Sequence, residues 1–96
     1  MLICRVVGTA VSTIKHEKLK NLKLLIVQEV TPENEITGSP FVAIDTVGAG
    51  EKEVILVVKD NPATMAVSHQ QIPTDAAIVG IVDCFSVKGK FTFKKD

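Results

Sequence analysis

Residues 41–59 read FVAIDTVGAGEKEVILVVK and hold two apolar runs on either side of a glycine-rich turn. Phe41–Val47 and Glu53–Lys59 are rich in valine and isoleucine, the β-branched residues that favour strands. Between them, the small residues Gly48–Gly50 suit a tight turn in which backbones approach one another. This stretch therefore predicts two strands separated by a compact turn.

The rest of the chain repeats this pattern of short apolar runs separated by turn residues. Further strands are predicted at Leu2–Ile14, Lys23–Val30 and Ala76–Val87, followed by a tight turn at Lys88–Lys90 and a short strand at Phe91–Phe93. Within the first of these strands, Gly8 marks a bulge or a close approach of backbones.

A short helix is predicted over Ala63–Ser68, because Asn61 followed by Pro62 resembles a helix N-cap and first position. Short strands at the observed spacing favour barrel closure, since closure removes exposed sheet edges. The predicted fold class is all-β: a small five-stranded OB-like closed β-barrel with one short helix and a C-terminal β-hairpin extension. Residues 1–96 are expected to form a single domain.

The apolar content is high for so short a chain. Of the 96 residues, 46% are hydrophobic, and the mean hydropathy is +0.29. A domain of this size buries only about two-thirds of its unfolded surface, so its core is modest. Because large exposed apolar patches are rare on monomers, the surplus predicts a subunit interface and hence an oligomer.

The charge balance argues against a general role in nucleic-acid binding. Eleven basic and eleven acidic residues give a net charge of zero, so there is no basic excess to neutralise phosphates. Tryptophan and tyrosine are absent, which makes a stacking platform for bases improbable. An OB-type nucleic-acid or ligand-binding module is nevertheless kept as the alternative hypothesis.

The N-terminus and the cysteines point to a cytoplasmic protein. The first residues lack the charged and apolar regions of a secretory signal, and no apolar stretch approaches the ~20 residues that span a bilayer. Cys4 and Cys84 lie in apolar, strand-like runs without metal-ligand spacing, so buried reduced thiols are expected. A disulfide between them is the alternative.

Acidic side chains beside predicted strands raise the question of a catalytic site. Asp45, Asp75 and Asp83 lie at or next to strands, and general acid–base catalysis needs such groups to converge in a pocket. We favour the commoner role, in which they cap turns, accept from backbone amides or pair across an interface. His16 and His69 lack a second ligand at metal-binding spacing. No catalytic site, metal site or cofactor is predicted, and a small enzyme with a site at a subunit boundary is a third hypothesis.

A basic cluster precedes the second predicted strand and consists of Lys15, His16, Lys18, Lys20 and Lys23. Such a charge run is usually a solvated face of the molecule. The alternative is a basic rim that meets acidic groups on a neighbouring subunit. Neither interpretation is catalytic.

Three segments of the chain together carry a family resemblance. They are Arg5–Val11 with its continuation through Lys15–Leu19 and Lys23–Gln28, then Val42–Gly50, and then Pro73–Asp83. Within them, Asp-Thr-Val-Gly-Ala-Gly at 45–50 and Val-Gly-Ile-Val-Asp at 79–83 are specific when found together. In this order and spacing, the segments resemble the carboxysome and ethanolamine-utilisation vertex proteins of bacterial microcompartments.

The resemblance implies an OB-like barrel subunit, five of which form a truncated pyramid around a five-fold axis. It also implies that these homopentamers cap the vertices of a polyhedral shell, whose facets are tiled by hexameric shell proteins. A flat hexagonal sheet cannot close, and pentagonal units supply the curvature. Head-to-tail contacts that close into rings are an established class of interface. The implied role is structural, not enzymatic, with neither nucleic acid nor membrane as a partner.

The resemblance also suggests residues for an axial opening and for interfaces. Small residues let five backbones converge, so Gly48, Ala49 and Gly50 are candidates for lining the opening; the alternative is an ordinary turn away from the axis. The candidates for shell or subunit interfaces are Lys15, His16, Lys18, Lys20, Asp45 and Asp83.

The chain departs from the family pattern at two places. Lys52 stands where the family usually has a glycine, two residues after Gly50. Lys59–Met65 replaces a Gly-Ser-Ser-Ala-Arg segment, so the usual arginine is missing. The tail beyond Asp83 resembles the longer C-terminus of ethanolamine-type members, and is expected to pair with its own barrel or with a neighbour.

Overall fold

A computed structural model describes residues 1–10, 23–59 and 76–95, which form seven β-strands. The strands are β1 (Leu2–Thr9), β2 (Lys23–Glu29), β3 (Phe41–Asp45), β4 (Val54–Lys59), β5 (Ala76–Ile81), β6 (Cys84–Val87) and β7 (Lys90–Lys94). The predicted helix over Ala63–Ser68 lies outside the described residues. Within those residues, no helix is long and apolar enough to cross a membrane.

The first five strands close into a barrel in the order β1-β2-β3-β5-β4, which confirms the predicted closed five-stranded barrel. β1, β2 and β3 form an antiparallel meander, and β4 is antiparallel to both β1 and β5. The pairing of β3 with β5 is parallel, with Ile44 opposite Ala77 and Asp45 opposite Ile78. Because each of these strands has a neighbour on both sides, the barrel leaves no strand edge open.

The barrel interior is filled by side chains that alternate along the strands. This buried cluster comprises Cys4, Val6, Leu25, Val27, Ala43, Ala49, Ile55, Val57, Ala76 and Ile78. Residues two apart face the same side of a strand, which is why Cys4 and Val6 enter the core together. Gly8 lies at a register shift between β1 and β2, as the bulge prediction expected.

The prediction of one continuous strand over Ala76–Val87 is wrong. β5 ends at Ile81, opposite Ile55, and one further bond from the Val82 N–H to the Val54 carbonyl (2.8 Å) closes its pairing with β4. Val54 is the first residue of β4, so beyond it no β4 residue remains as a partner. The chain then leaves the barrel and continues as β6.

The C-terminal hairpin of β6 and β7 confirms the predicted extension and its tight turn. Val87 pairs with Lys90, leaving Lys88 and Gly89 as a two-residue loop. Both loop residues have positive φ, 53° and 81°, as a type I′ turn requires. The Phe85 and Phe93 rings stack across the hairpin with their centroids 5.5 Å apart.

Candidate functional site

The glycine loop, which we define as Asp45–Gly50, is organised by a single carboxylate. Asp45 is only 9% exposed, and its Oδ1 atom accepts from the backbone N–H groups of Val47, Gly48 and Ala49 at 3.0, 3.0 and 3.2 Å. Three donors on one oxygen bend the chain sharply after β3, and Gly48 takes φ +78°, which favours glycine. Of the three roles considered for this aspartate, which were capping a turn, bonding backbone amides and pairing across an interface, the structure shows the bonds to backbone amides.

Three further side chains, those of Lys23, Thr46 and Glu53, fasten the glycine loop to its surroundings. Lys23 donates from Nζ to the Ala49 carbonyl at 3.1 Å and lies 3.8 Å from Asp45 Oδ2. The Thr46 hydroxyl donates to the Ile78 carbonyl at 2.6 Å, and the Gly50 N–H donates to Glu53 Oε1 at 2.7 Å. The loop is therefore fastened to β2, to β5 and to the residue that precedes β4.

The three residues predicted to line an axial opening differ in their exposure. Gly48 is exposed and Gly50 is half-buried, whereas Ala49 is fully buried and belongs to the barrel core. The Ala49 side chain thus faces the barrel interior, and its N–H and carbonyl are bonded to Asp45 and Lys23, so only Gly48 and Gly50 of the three expose surface. Val47, which the sequence did not single out, exposes 37% of its surface on this loop.

The hairpin is held against the barrel by Arg5, a residue that sequence reasoning missed. Its guanidinium donates to the Lys52 carbonyl at 3.0 Å and to Asn34 Oδ1 at 2.5 Å, and lies 5.7 Å from the Phe93 ring centroid. One side chain therefore joins β1 to the β3–β4 connection, the β2–β3 connection and β7. The Thr92 hydroxyl adds a bond to the Pro32 carbonyl.

A second attachment of the hairpin is the ion pair of Lys95 with Glu53, at 2.6 Å. The hydrogen bond from Lys95, and after it the bond from the Gly50 N–H, lowers the pKa of Glu53 below its ordinary value. The same pair raises the pKa of Lys95. The Lys95 N–H also donates to the Asp83 carbonyl at 2.7 Å, so the described tail contacts its own barrel, one of its two predicted sites.

The chemistry-bearing residues predicted from sequence are not gathered in one place among the described residues. Asp45 is buried in the glycine loop, whereas Asp83 is exposed where the chain leaves the barrel. Of the basic cluster, only Lys23 is described, and it bonds to its own chain; Lys15, His16, Lys18 and Lys20 lie outside the described residues, as do Asp75 and His69. Among the described residues, no group of three or more His, Cys, Asp or Glu side chains could hold a metal ion.

The two cysteines lie in different environments and are both free thiols. Cys4 is fully buried in the barrel, and burial, reinforced by the charge of Glu29, raises its pKa from 9.0 to about 11. Cys84 is exposed at the start of β6, so the prediction that both thiols are buried is wrong for this residue. The error follows from the strand break at Ile81, which carries Cys84 out of the barrel.

Lys52, one of the two departures from the family pattern, lies in the β3–β4 connection, where its carbonyl accepts from Arg5. Its φ is +71°, in the left-handed region where a side chain is disfavoured. The glycine that the resemblance described above usually has at this position would suit this backbone geometry, because glycine adopts positive φ without steric cost.

Comparison with known proteins places this barrel among microcompartment proteins. Residues 1–83 match the family described as ethanolamine utilisation protein EutN/carboxysome. The shell vertex protein GrpN of Rhodospirillum rubrum is 42% identical over 83 residues, which cover 86% of this chain and 93% of the relative. The shell vertex protein EutN of Escherichia coli is 36% identical over 95 residues, covering 99% of this chain and all of the relative.

Solved structures of such proteins share the fold. CcmL of Nostoc superposes with a TM-score of 0.89 at 38% identity, covering 99% of this chain and 100% of its own. The structure of the Rhodospirillum rubrum GrpN protein, described as a pentameric microcompartment shell protein, superposes with a TM-score of 0.81, covering 91% of this chain and 99% of its own.

Proposed function

The chain belongs to the family of ethanolamine utilisation protein EutN/carboxysome, and from this premise we propose that it forms pentamers that cap the vertices of a polyhedral bacterial microcompartment. The observation that carries the proposal is the match to proteins named as shell vertex proteins, at 42% and 36% identity over most or all of each chain. At this identity and coverage, the likeness extends to the whole barrel and not to one motif.

The properties of the described residues agree with a structural role in a shell. The barrel is closed, and Asp45, the one charged residue that is buried among the described residues, is bonded within its own loop. At the hairpin junction, Arg5 is likewise bonded to the Lys52 carbonyl and the Asn34 side chain, and Lys95 to Glu53. We therefore assign the protein to the shell in the cytoplasm as a structural component, and not as an enzyme.

Hexameric shell proteins are the partners that a vertex pentamer needs, because they tile the facets whose corners it closes. The basic cluster around Lys15–Lys23 is kept as the candidate contact with these hexamers. Asp83, exposed beside the hairpin, is kept as a second candidate for an interface.

The oligomeric state is the first test of the proposal. Native mass spectrometry across a dilution series should find a species of five chains, each of 10.3 kDa, that survives dilution. A stable monomer, or a dimer without higher species, would contradict the vertex role and favour the OB-type binding module instead.

The vertex role itself is tested by shell assembly. Hexameric shell proteins from the same genome should form sheets or tubes when produced alone, and closed polyhedra when this chain is added, as seen by negative-stain electron microscopy. If the particles close equally well without this chain, the protein is not the component that closes the vertices.

The glycine loop remains the candidate lining of an axial opening in that pentamer. The surroundings of Gly48 are open, since beyond its two chain neighbours no heavy atom lies within 4 Å of where a Cβ would stand. In a Cys84→Ser background, Val47→Cys should form disulfides between subunits on mild oxidation if five such loops converge. Failure to cross-link in an intact pentamer would place the loop away from the axis.

A further inference from the structure

The outer wall of the barrel carries an apolar row that crosses three strands. Gly8 of β1 lies opposite Ile26 of β2, and Ile26 lies opposite Val42 of β3. Val7 occupies the register shift beside Gly8. Because Gly8 has no side chain, Ile26 is left uncovered on that side; a Cβ at Gly8 would stand 3.6 Å from Ile26 Cδ1. We call Val7, Ile26 and Val42 the apolar wall.

The apolar wall is unusually exposed for β-branched side chains. Val7 and Val42 each expose 45% of their surface, and Ile26 is half-buried. The other large exposed apolar side chains among the described residues are Met1, Ile36, Val47 and Phe91, which lie at the terminus, in loops or on the hairpin. On the barrel strands, this exposure is concentrated on β1 and β3.

The alternation of side chains along a strand explains why these residues lie outside the barrel interior. Val42 alternates with Ala43, which is fully buried in the core, so Val42 faces outward. A sheet face in contact with water normally carries polar side chains at such positions. Towards one end of the strands, Arg5 of β1 lies opposite Gln28 of β2. These two polar side chains mark the limit of the apolar wall.

We propose that the apolar wall is the surface through which one subunit packs against the next in the ring. This inference rests on the proposed function, because the occupant is a second copy of this chain. The pentameric GrpN protein, 42% identical over most of the chain, supplies the reason to expect a copy of the chain there and not a different protein. A five-fold ring is built head to tail, so the apolar wall meets a different surface of its neighbour.

The test places a charge at the centre of the apolar wall and compares it with a matched site elsewhere. Val42→Lys should shift the five-chain species to monomer, with a dissociation constant raised about a hundredfold or more, because burying an unpaired charge in an interface is costly. Ile36→Lys is the control, since Ile36 is 47% exposed but lies in the β2–β3 connection, away from the wall. This control should keep the five-chain species.

A folding check and a milder variant keep the result interpretable. Because Val42 faces outward, the Val42→Lys monomer should retain the circular-dichroism spectrum of the wild type. If this variant does not fold, Val42→Thr keeps the β-branch and adds a hydroxyl, and should raise the dissociation constant about tenfold. A ring that survives both substitutions would overturn the inference alone. A monomeric wild type would overturn the proposed function and the inference together.

Discussion

Replacing Lys52 by glycine should stabilise the protein, because the native backbone at this position disfavours a side chain. Lys52 has φ +71°, and the residue is held on both sides. Its N–H donates to the Val6 carbonyl at 2.9 Å, and its own carbonyl accepts from Arg5 at 3.0 Å. With both backbone groups bonded, the residue cannot relax to negative φ without breaking contacts.

The size of the effect follows from two opposing contributions. Left-handed backbone costs a residue with a side chain about 1–2 kcal/mol. Glycine loses more conformational freedom on folding, which offsets about 0.5–1 kcal/mol of the gain. With values near the middle of both ranges, the net stabilisation expected for Lys52→Gly is about 0.5–1 kcal/mol. For a chain of 96 residues, this amounts to a rise in Tm of about 3–5 °C.

The assay is thermal unfolding at one fixed protein concentration, because the stability of an oligomer depends on concentration. Lys52→Ala is the control: it removes the same charge but keeps a Cβ at positive φ, so its Tm should remain near that of the wild type. If alanine raised the Tm as much as glycine, the gain would come from losing the lysine side chain, and the backbone explanation would be refuted. A lower Tm for Lys52→Gly would refute it equally.

Four other predictions follow from bonds and burial. Asp45→Ala should lower the free energy of unfolding in urea by about 2–4 kcal/mol, because three N–H donors lose their one acceptor. Asp45→Asn keeps an acceptor oxygen and should cost less. If both variants lost the same stability, the role of Asp45 as acceptor for the loop would be contradicted. Lys88→Asn creates the Asn-Gly pair that type I′ turns favour, and should slow amide exchange in the hairpin; unchanged exchange would argue against that turn. In native protein, Cys84 should react with maleimide while Cys4 stays protected. Because the pKa of Cys4 is raised from 9.0 to about 11, its contribution to stability is complete below pH 9 and is lost as the pH rises towards 11; a Cys4→Ala variant should lack this alkaline decline.

The barrel could be predicted from sequence because each of its strands is a short run rich in β-branched residues between turn signals. The positions of β2 and β4 lie within one residue of the prediction for that reason. The break after Ile81 could not be predicted in the same way. Residues on both sides of it favour a strand, and what ends β5 is the start of its partner β4, which is a property of the pairing and not of the local sequence.

In the candidate site too, features of the local sequence could be predicted, whereas features that depend on strand pairing could not. The turn at Gly48–Gly50 was predicted because three small residues indicate a tight turn, whereas the three backbone bonds that Asp45 accepts there were seen only in the structure. The part played by Lys23 was not predicted, because it depends on β2 and β3 pairing with Lys23 opposite Asp45. Arg5 was missed for a similar reason: its three contacts lie far away in the sequence.

The parallel pairing of β3 with β5 has a mechanical consequence for the subunit. This seam has two paired positions, whereas each of the other seams of the barrel has at least four. The barrel is expected to open first where its strand pairing is shortest. The hydrogen bond from the Thr46 hydroxyl to the Ile78 carbonyl reinforces the barrel beside this pairing. If this pairing opened, β3 and β5 would each present an unpaired edge, and exposed edges invite aggregation. The glycine loop, which turns the chain after β3, therefore also helps to keep the barrel closed.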